Sequence, residues 1–304
     1  MPGRAHRLTL LLACAVLLLS PGAAMADETD WNTRYDRLVA ADAKSKGDST
    51  HARAAAITAS YDALFPAPAA DQISTLSAQD AALGFRAANM AHFYSLDEHH
   101  LAQMRVYFDR LTRLNVASPS QVRDMSGAYV ASRHWQQARS LREAFPAVML
   151  APIPSVLDAM ERQAGAPASV LTVGAADGTL ARVPEDITRG PVIIAVSHPL
   201  CHFSRAAFAA LASDPALATI KAHIRWIAPV DRELHLDVLQ QWNTEHPEAV
   251  MKIAYSRTQW PPLDSWGTPT FYFLKDGKLL KKVEGWPEGG RKPELLEAAH
   301  AIGL

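Results

Sequence analysis

The stretch Pro191-Val-Ile-Ile-Ala-Val-Ser-His-Pro-Leu-Cys201-His202-Phe203-Ser204 decides the fold of this chain. Residues 192–197 form a continuous apolar run, short enough for a strand buried on both faces and too short for a helix. The run ends at His198-Pro199, and a helical pattern begins at Phe203, with Phe208 and Leu211 on its apolar side. A cysteine therefore stands at a strand-to-helix junction. A second informative stretch lies about sixty residues later, Gly267-Thr-Pro-Thr-Phe-Tyr-Phe-Leu-Lys-Asp-Gly-Lys278. It reads as a proline loop, a strand over 270–274, an Asp276-Gly277 hairpin turn and a return strand over 279–283.

Working outward from these stretches, the carboxyl-terminal half alternates short strands and helices. Residues 169–173 and 179–183 are expected to pair as a hairpin around Ala176-Asp177-Gly178. Further strands are expected at 192–197, 224–230 and 251–255, with helices at 203–212, 234–246 and 292–302. This order implies a mixed sheet with helices on both faces.

The amino-terminal half reads differently. Ile57, Tyr61, Leu64 and Phe65 recur at helical spacing, as do Leu101, Met104, Phe108 and Leu111. Ser95 with Glu98, and Ser118 with Gln121, have capping-box spacing, and Pro119 suits a first helical position. Residues 125–145 resemble one tetratricopeptide-like helical hairpin, with Tyr129, Trp135 and Ala138 near that repeat's offsets. No 34-residue self-similarity extends it, and an ordinary helical bundle is the preferred reading. His99-His100 is a tempting metal pair. Adjacent helical residues do not share a face, so a solvated pair is expected. The prolines at 146, 152 and 154 break the pattern, a short helix is expected to follow to Gln163, and Gly165-Ala-Pro167 completes the junction.

The 304-residue chain carries 30 basic and 31 acidic residues, a balance that favours neither nucleic acid nor an anionic surface. Residues 1–26 read as a secretory signal: Arg4 and Arg7, an apolar run from Leu8 to Leu19, and a small-residue site at Ala24-Met25-Ala26. The run is too short for a stable membrane span. Cleavage after Ala26 would place the protein in the periplasm or outside the cell and would remove Cys14, leaving Cys201 as the one cysteine. No disulfide within the chain could then form, and an unpaired cysteine in an oxidising compartment suggests a reactive thiol or pairing with another molecule. A buried inert cysteine is the plainer alternative.

The strand ending at Cys201 and the segment 267–278 together resemble the thioredoxin-like superfamily, and most of all its periplasmic TlpA-like branch. The resemblance covers 166–304 and none of the helical half. It implies an α/β thioredoxin fold, a mixed central sheet flanked by helices, preceded by an all-α domain over 27–165. It further implies that Pro269 is cis, and that the Thr268 backbone lies beside the sulfur, where it could pair with an extended substrate. Three positions depart from the family pattern. Leu200 stands where the family has a tryptophan before its cysteine, Ala195 where it has a buried acid, and Ser204 where it has a second cysteine. C-H-F-S is similar to the C-R-F-S of an endoplasmic-reticulum thioredoxin-like chaperone and to the C-G-F-S of monothiol glutaredoxins.

The chemistry expected of these residues is that of a lone thiolate. A helix amino-terminus stabilises a cysteine thiolate. The Ser204 hydroxyl is placed to donate to sulfur, and His202, with His198 beside it, would add positive charge if protonated. Without a second thiol, a mixed disulfide formed by Cys201 must be released by a client thiol, by glutathione or by a partner, or must persist. Cys201, Ser204 and His202 are the expected catalytic residues, and Thr268 and Pro269 the expected substrate-binding ones. No cofactor is expected. Two alternatives stand beside this reading: a non-catalytic thioredoxin-fold scaffold whose helical half binds a protein partner, and, lower, copper or zinc handling through His198, Cys201 and His202. Trp260 and Trp266 are expected to pack the proline loop.

Overall fold

The computed structural model describes residues 30–158, 160, 168–174 and 178–304. The expected signal segment, the junction at 165–167 and two residues of the Ala176-Asp177-Gly178 turn lie outside the described residues.

Among the described residues seven helices come first: α1 (Trp31–Lys44), α2 (Thr50–Leu64), α3 (Ala70–Thr75), α4 (Ala78–Ser95), α5 (Glu98–Arg113), α6 (Pro119–Ala131) and α7 (Trp135–Ala144). Their apolar stripes meet in one core that includes Ile57, Tyr61, Phe65, Leu101, Met104, Phe108 and Leu111. The capping box at the start of α6 forms, with Ser118 Oγ accepting from the Gln121 N–H and Gln121 reaching back to the Ser118 N–H. The one expected at Ser95 does not. Asp97 caps α5 instead, accepting from the His99 N–H at 2.7 Å, because Leu96 turns into the left-handed region and ends α4 one residue past Ser95. The solvated histidine pair is also corrected. His99 is exposed, but His100 is buried between Ser95 Oγ at 2.8 Å and Asp62 Oδ1 at 3.1 Å.

The second half holds β1 (Val156–Asp158), β2 (Ser169–Val173), β3 (Leu180–Pro184), β4 (Pro191–Val196), α8 (His202–Ser213), α9 (Ala218–His223), β5 (Ile224–Ala228), α10 (Leu236–Glu245), β6 (Met251–Ala254), β7 (Thr270–Lys275), β8 (Lys278–Glu284) and α11 (Lys292–Ile302). The strands form a single mixed sheet in the order β1-β3-β2-β6-β5-β4-β7-β8. Strands β4, β5 and β6 run parallel, while β4–β7, β7–β8 and β2–β3 are antiparallel. Two differences from expectation stand out. Where a short helix to Gln163 is expected, residues 156–158 form strand β1, which gains its hydrogen bonds by parallel pairing with β3, and residues 161–163 lie outside the described residues. The helices of this half do not lie on both faces: α8, α9, α10 and α11 all pack on the face that carries Ile193, Ala195, Phe271 and Phe273.

The opposite face carries Val192, Ile194, Val196, Tyr272 and Leu274, as the two-residue alternation of a strand requires. It is covered by Trp260 and Leu263 from the irregular β6–β7 connection and by Ala131 at the end of α6. Trp260 is 1 % exposed and meets Trp266 edge to face, so both tryptophans pack the loop.

The helical half is joined to the sheet by exchanged arginines. Arg133, in the turn after α6, donates to the carbonyl oxygens of Ala254, the last residue of β6, and of Tyr255 just past it. Arg232, past β5, donates to the side chain and carbonyl of Asn89 on α4. Both contacts sit at the carboxyl end of the parallel strands. The helical half therefore lies against the edge of the sheet on which the chain leaves β4 for Cys201.

Candidate functional site

Cys201 is the N-cap of α8, with extended backbone and a half-buried side chain. The apolar strand β4 delivers it: Val192 to Val196 are all buried, which fixes where the strand ends. A tight turn follows, closed by the Cys201 N–H on the His198 carbonyl at 3.0 Å and by Arg205 donating to the Pro199 carbonyl at 2.8 Å.

The proline loop arrives from the other side. The Thr268–Pro269 peptide bond is cis. The loop is anchored by Thr270 Oγ1 donating to the Gly267 carbonyl, and by Tyr272, whose hydroxyl accepts from the Ser265 N–H and donates to the Ser265 carbonyl. The antiparallel pairing of β4 with β7 brings loop and thiol together, since Val196 faces Thr270 in register. The Cys201 thiol donates to the Thr268 carbonyl oxygen at 3.3 Å.

Burial pushes the Cys201 thiol up, but Thr268, the Ser204 amide and hydroxyl and the Phe203 amide outweigh it, and its pKa falls below the ordinary value of 9.0. The S–H donated to the Thr268 backbone carbonyl opposes this lowering, which the Thr268 side chain and the Ser204 and Phe203 groups at the helix start carry. Ser204 is 2 % exposed, and its hydroxyl accepts from the His198 N–H, leaving its proton for the sulfur. Two apolar side chains flank the thiol in solvent, Leu200 and Phe203.

The two histidines have different surroundings. His198 is not a source of positive charge. Burial and the neighbouring His235 hold its pKa below the ordinary imidazole value, with Asp231 pulling the other way. Its ring meets His235 edge to face, and its Nδ1 accepts from the Leu200 N–H. His202 is exposed, its ring lying against Phe203 at 3.7 Å between centroids. His198, Cys201 and His202 thus turn to three different surroundings. Among the described residues no group of three or more His, Cys, Asp or Glu is placed to hold a metal. The copper or zinc reading is corrected accordingly.

Sequence reading passed over the segments that follow β5 and β6. Asp231, His235 and Arg257 leave the sheet on the same edge as Cys201, which was readable only from the general tendency of sites to form where parallel strands end. Between the halves lies a cleft of about 720 Å³, lined by residues that include Asp124, Met149, Ile153, Arg232 and His235.

The fold is thioredoxin-like: a βαβ unit carrying the cysteine, then a hairpin preceded by a cis-proline loop, on one mixed sheet. No family model matches the chain, and no curated protein matches it. Among solved structures it is similar to a thioredoxin-like protein from Bacteroides caccae ATCC 43185, with 11% identity, 97% of this chain and 99% of that chain covered, and a TM-score of 0.30. That likeness is too distant to carry an argument, and the fold rests on strand order and register. Among the described residues, no helix is long and apolar enough to cross a membrane.

Proposed function

We propose that this chain is a monothiol thiol–disulfide exchange protein of the cell envelope, a variant of the TlpA-like branch of the thioredoxin-like superfamily with Ser204 in place of the resolving thiol. The observation that carries the reading is the half-exposed Cys201 thiol 3.3 Å from the Thr268 carbonyl, beside the cis Thr268–Pro269 bond. Ser204 favours the thiolate, and Leu200 and Phe203 offer an apolar rim to a client. His202 sits on that rim, one residue from the sulfur. The envelope location is supported by the signal-like residues 1–26.

In the exchange, the Cys201 thiolate attacks one sulfur of a client disulfide. The new S–S bond forms as the old one breaks, and the departing thiolate takes the electron pair and then a proton from water. A second thiol, from the client, glutathione or a partner, attacks the mixed disulfide and returns Cys201 as thiolate. The chain itself is neither oxidised nor reduced over the cycle.

Iodoacetamide alkylation of folded protein against pH tests this. The expected half-point lies below that of free cysteine, about 8.5. Absence of reaction while folded, or a half-point at or above the free value, would overturn it. The same experiment separates the scaffold reading, which is favoured by Ser204 standing where a second thiol would be.

A further inference from the structure

His198 holds the cysteine turn at three points. Its carbonyl oxygen accepts the Cys201 N–H at 3.0 Å, its own N–H donates to the Ser204 hydroxyl at 3.4 Å, and its ring Nδ1 accepts the Leu200 N–H at 3.2 Å. The first two bonds use backbone groups of His198 that do not titrate. The third depends on the state of the ring. A neutral imidazole keeps one acceptor nitrogen, and a protonated one keeps none. A proton added at Nδ1 would face the Leu200 N–H donor to donor, and that bond would be lost.

The segment after β5 seats the ring. His235, just before α10, stands in the left-handed region at φ 46°, an uncommon conformation for a residue other than glycine. From there its ring meets His198 edge to face, with 5.6 Å between centroids. Both residues are partly exposed, and His235 also lines the cleft between the halves, so solvent protons reach the pair. From this segment His235 opposes a charge on His198 and Asp231 favours one, while Glu233 lies 3.8 Å from His235 Nε2. From the turn and α8 come Cys201 itself, the exposed His202, and Arg205, which donates to the Pro199 carbonyl. The cis-proline loop contributes the uncharged Thr268.

Building on the exchange chemistry above, we infer that His198 is a positioning residue: its neutral ring, seated against His235, pins the Leu200–Cys201 turn for exchange, and its protonation releases that turn and slows exchange in acid.

Two effects compete when the ring charges. A cation near Cys201 favours the thiolate, but between partly exposed groups that attraction is screened by solvent. Loss of the Leu200 bond loosens the turn that sets the sulfur against the amides at the start of α8. The second effect is expected to win, and the two give opposite pH profiles.

The test follows full-length protein reacting with methyl methanethiosulfonate, which carries no titratable group, from pH 8 to 4. Loss of thiolate alone lowers the rate about tenfold per pH unit. A break is expected below about pH 6.5, beneath which the rate falls about a hundredfold per unit. His198→Ala should slow the reaction about tenfold at pH 7. His198→Asn should restore it and erase the break, because an asparagine side chain accepts from the N–H two residues on and does not titrate. His235→Asn, which tolerates the left-handed region, removes the opposing charge and should move the break to higher pH. An unmoved break there overturns the share assigned to His235. A profile that flattens in acid, or a break that persists in His198→Asn, overturns the clamp. The Leu200 amide signal, followed by NMR in Cys201→Ser protein, reads the clamp without the thiol and should titrate together with the His198 ring. If the wild-type thiol is unreactive at every pH while Leu200 follows His198, the exchange function falls and the clamp stands. If the thiol reacts while Leu200 ignores the ring, or the ring stays neutral to pH 4, the clamp falls alone.

Discussion

Arg133 Nε donates to the carbonyl oxygen of Tyr255 at 2.9 Å, across 122 residues of sequence. With Nη2 on Ala254 and Nη1 on Val130, it ties the end of α6 to the end of β6. The side chain is almost fully enclosed, and burial pulls its pKa down to about 10. Arg133→Met would keep the volume and strip the acceptors of their donor. Hydrogen bonds to a charged donor that leave buried carbonyls unpaired cost roughly 3 kcal/mol in total when lost. Urea unfolding should show the midpoint falling accordingly. A loss under about 1 kcal/mol would mean that the halves do not depend on this clasp.

Ser204 decides how the thiol behaves. Ser204→Ala removes a hydroxyl that supports the thiolate, so the alkylation half-point of Cys201 moves to higher pH. Ser204→Cys restores the second thiol at a buried position one helical turn from the first. The expected result is a reversible loss of two titratable thiols on mild oxidation, read by thiol titration and mass. If both thiols of that variant stay free in oxidised glutathione, the C-x-x-S segment does not hold the geometry of a redox pair.

Residues 191–204 were legible because their chemistry is local. An apolar run too short for a helix ends at a proline, and the helix after it shows its own period. The Asp276-Gly277 turn is equally local, with both residues at positive φ. Strand β1 was not legible, because three residues carry no period and its partner β3 lies across the junction. The one-sided helices trace to the β6–β7 connection, where an irregular segment anchored by Trp260 and Leu263 replaces a helix. His100 looked solvated because sequence spacing cannot show Asp62 reaching it from α2. At the site, Cys201 and Pro269 were readable from motifs. Asp231 and Arg257 were not, since only the strand order β6-β5-β4 brings them to one edge.

His92 makes the helical half acid-sensitive. It is fully enclosed on α4, with Nε2 bonded to Ser132 Oγ at 2.9 Å and Nδ1 without a partner. Burial, with Arg232 as the next contributor, holds its pKa at about 3. The unfolded chain takes up the proton near pH 6.5 while the folded one refuses it, so stability falls as pH drops below about 6.5 and the fall ends near 3. The slope should approach about 1.4 kcal/mol per pH unit inside that window. Stability measured in urea from pH 7 to 4.5 checks it against His92→Gln. An unchanged slope in the variant would assign the acid sensitivity to other groups.

Gly84 tests how tightly α4 and α5 are packed. A Cβ built there would lie 2.6 Å from Cε1 of Tyr107, whose ring is wholly buried and touches Trp31 edge to face. The ring is not a flexible side-chain end that can swing away. Alanine would gain about 1 kcal/mol in helix propensity. Overpacking of a full core costs about 1–3 kcal/mol, and a contact this short belongs at the upper end. Gly84→Ala should therefore destabilise by about 1–2 kcal/mol, with packing outweighing propensity. Tyr107→Leu in the same background removes the ring atoms the new methyl meets, so the two substitutions should cost less together than the sum of each alone. Strict additivity in thermal unfolding would show that the helices part to admit the methyl group and that the Gly84–Tyr107 contact does not set their spacing.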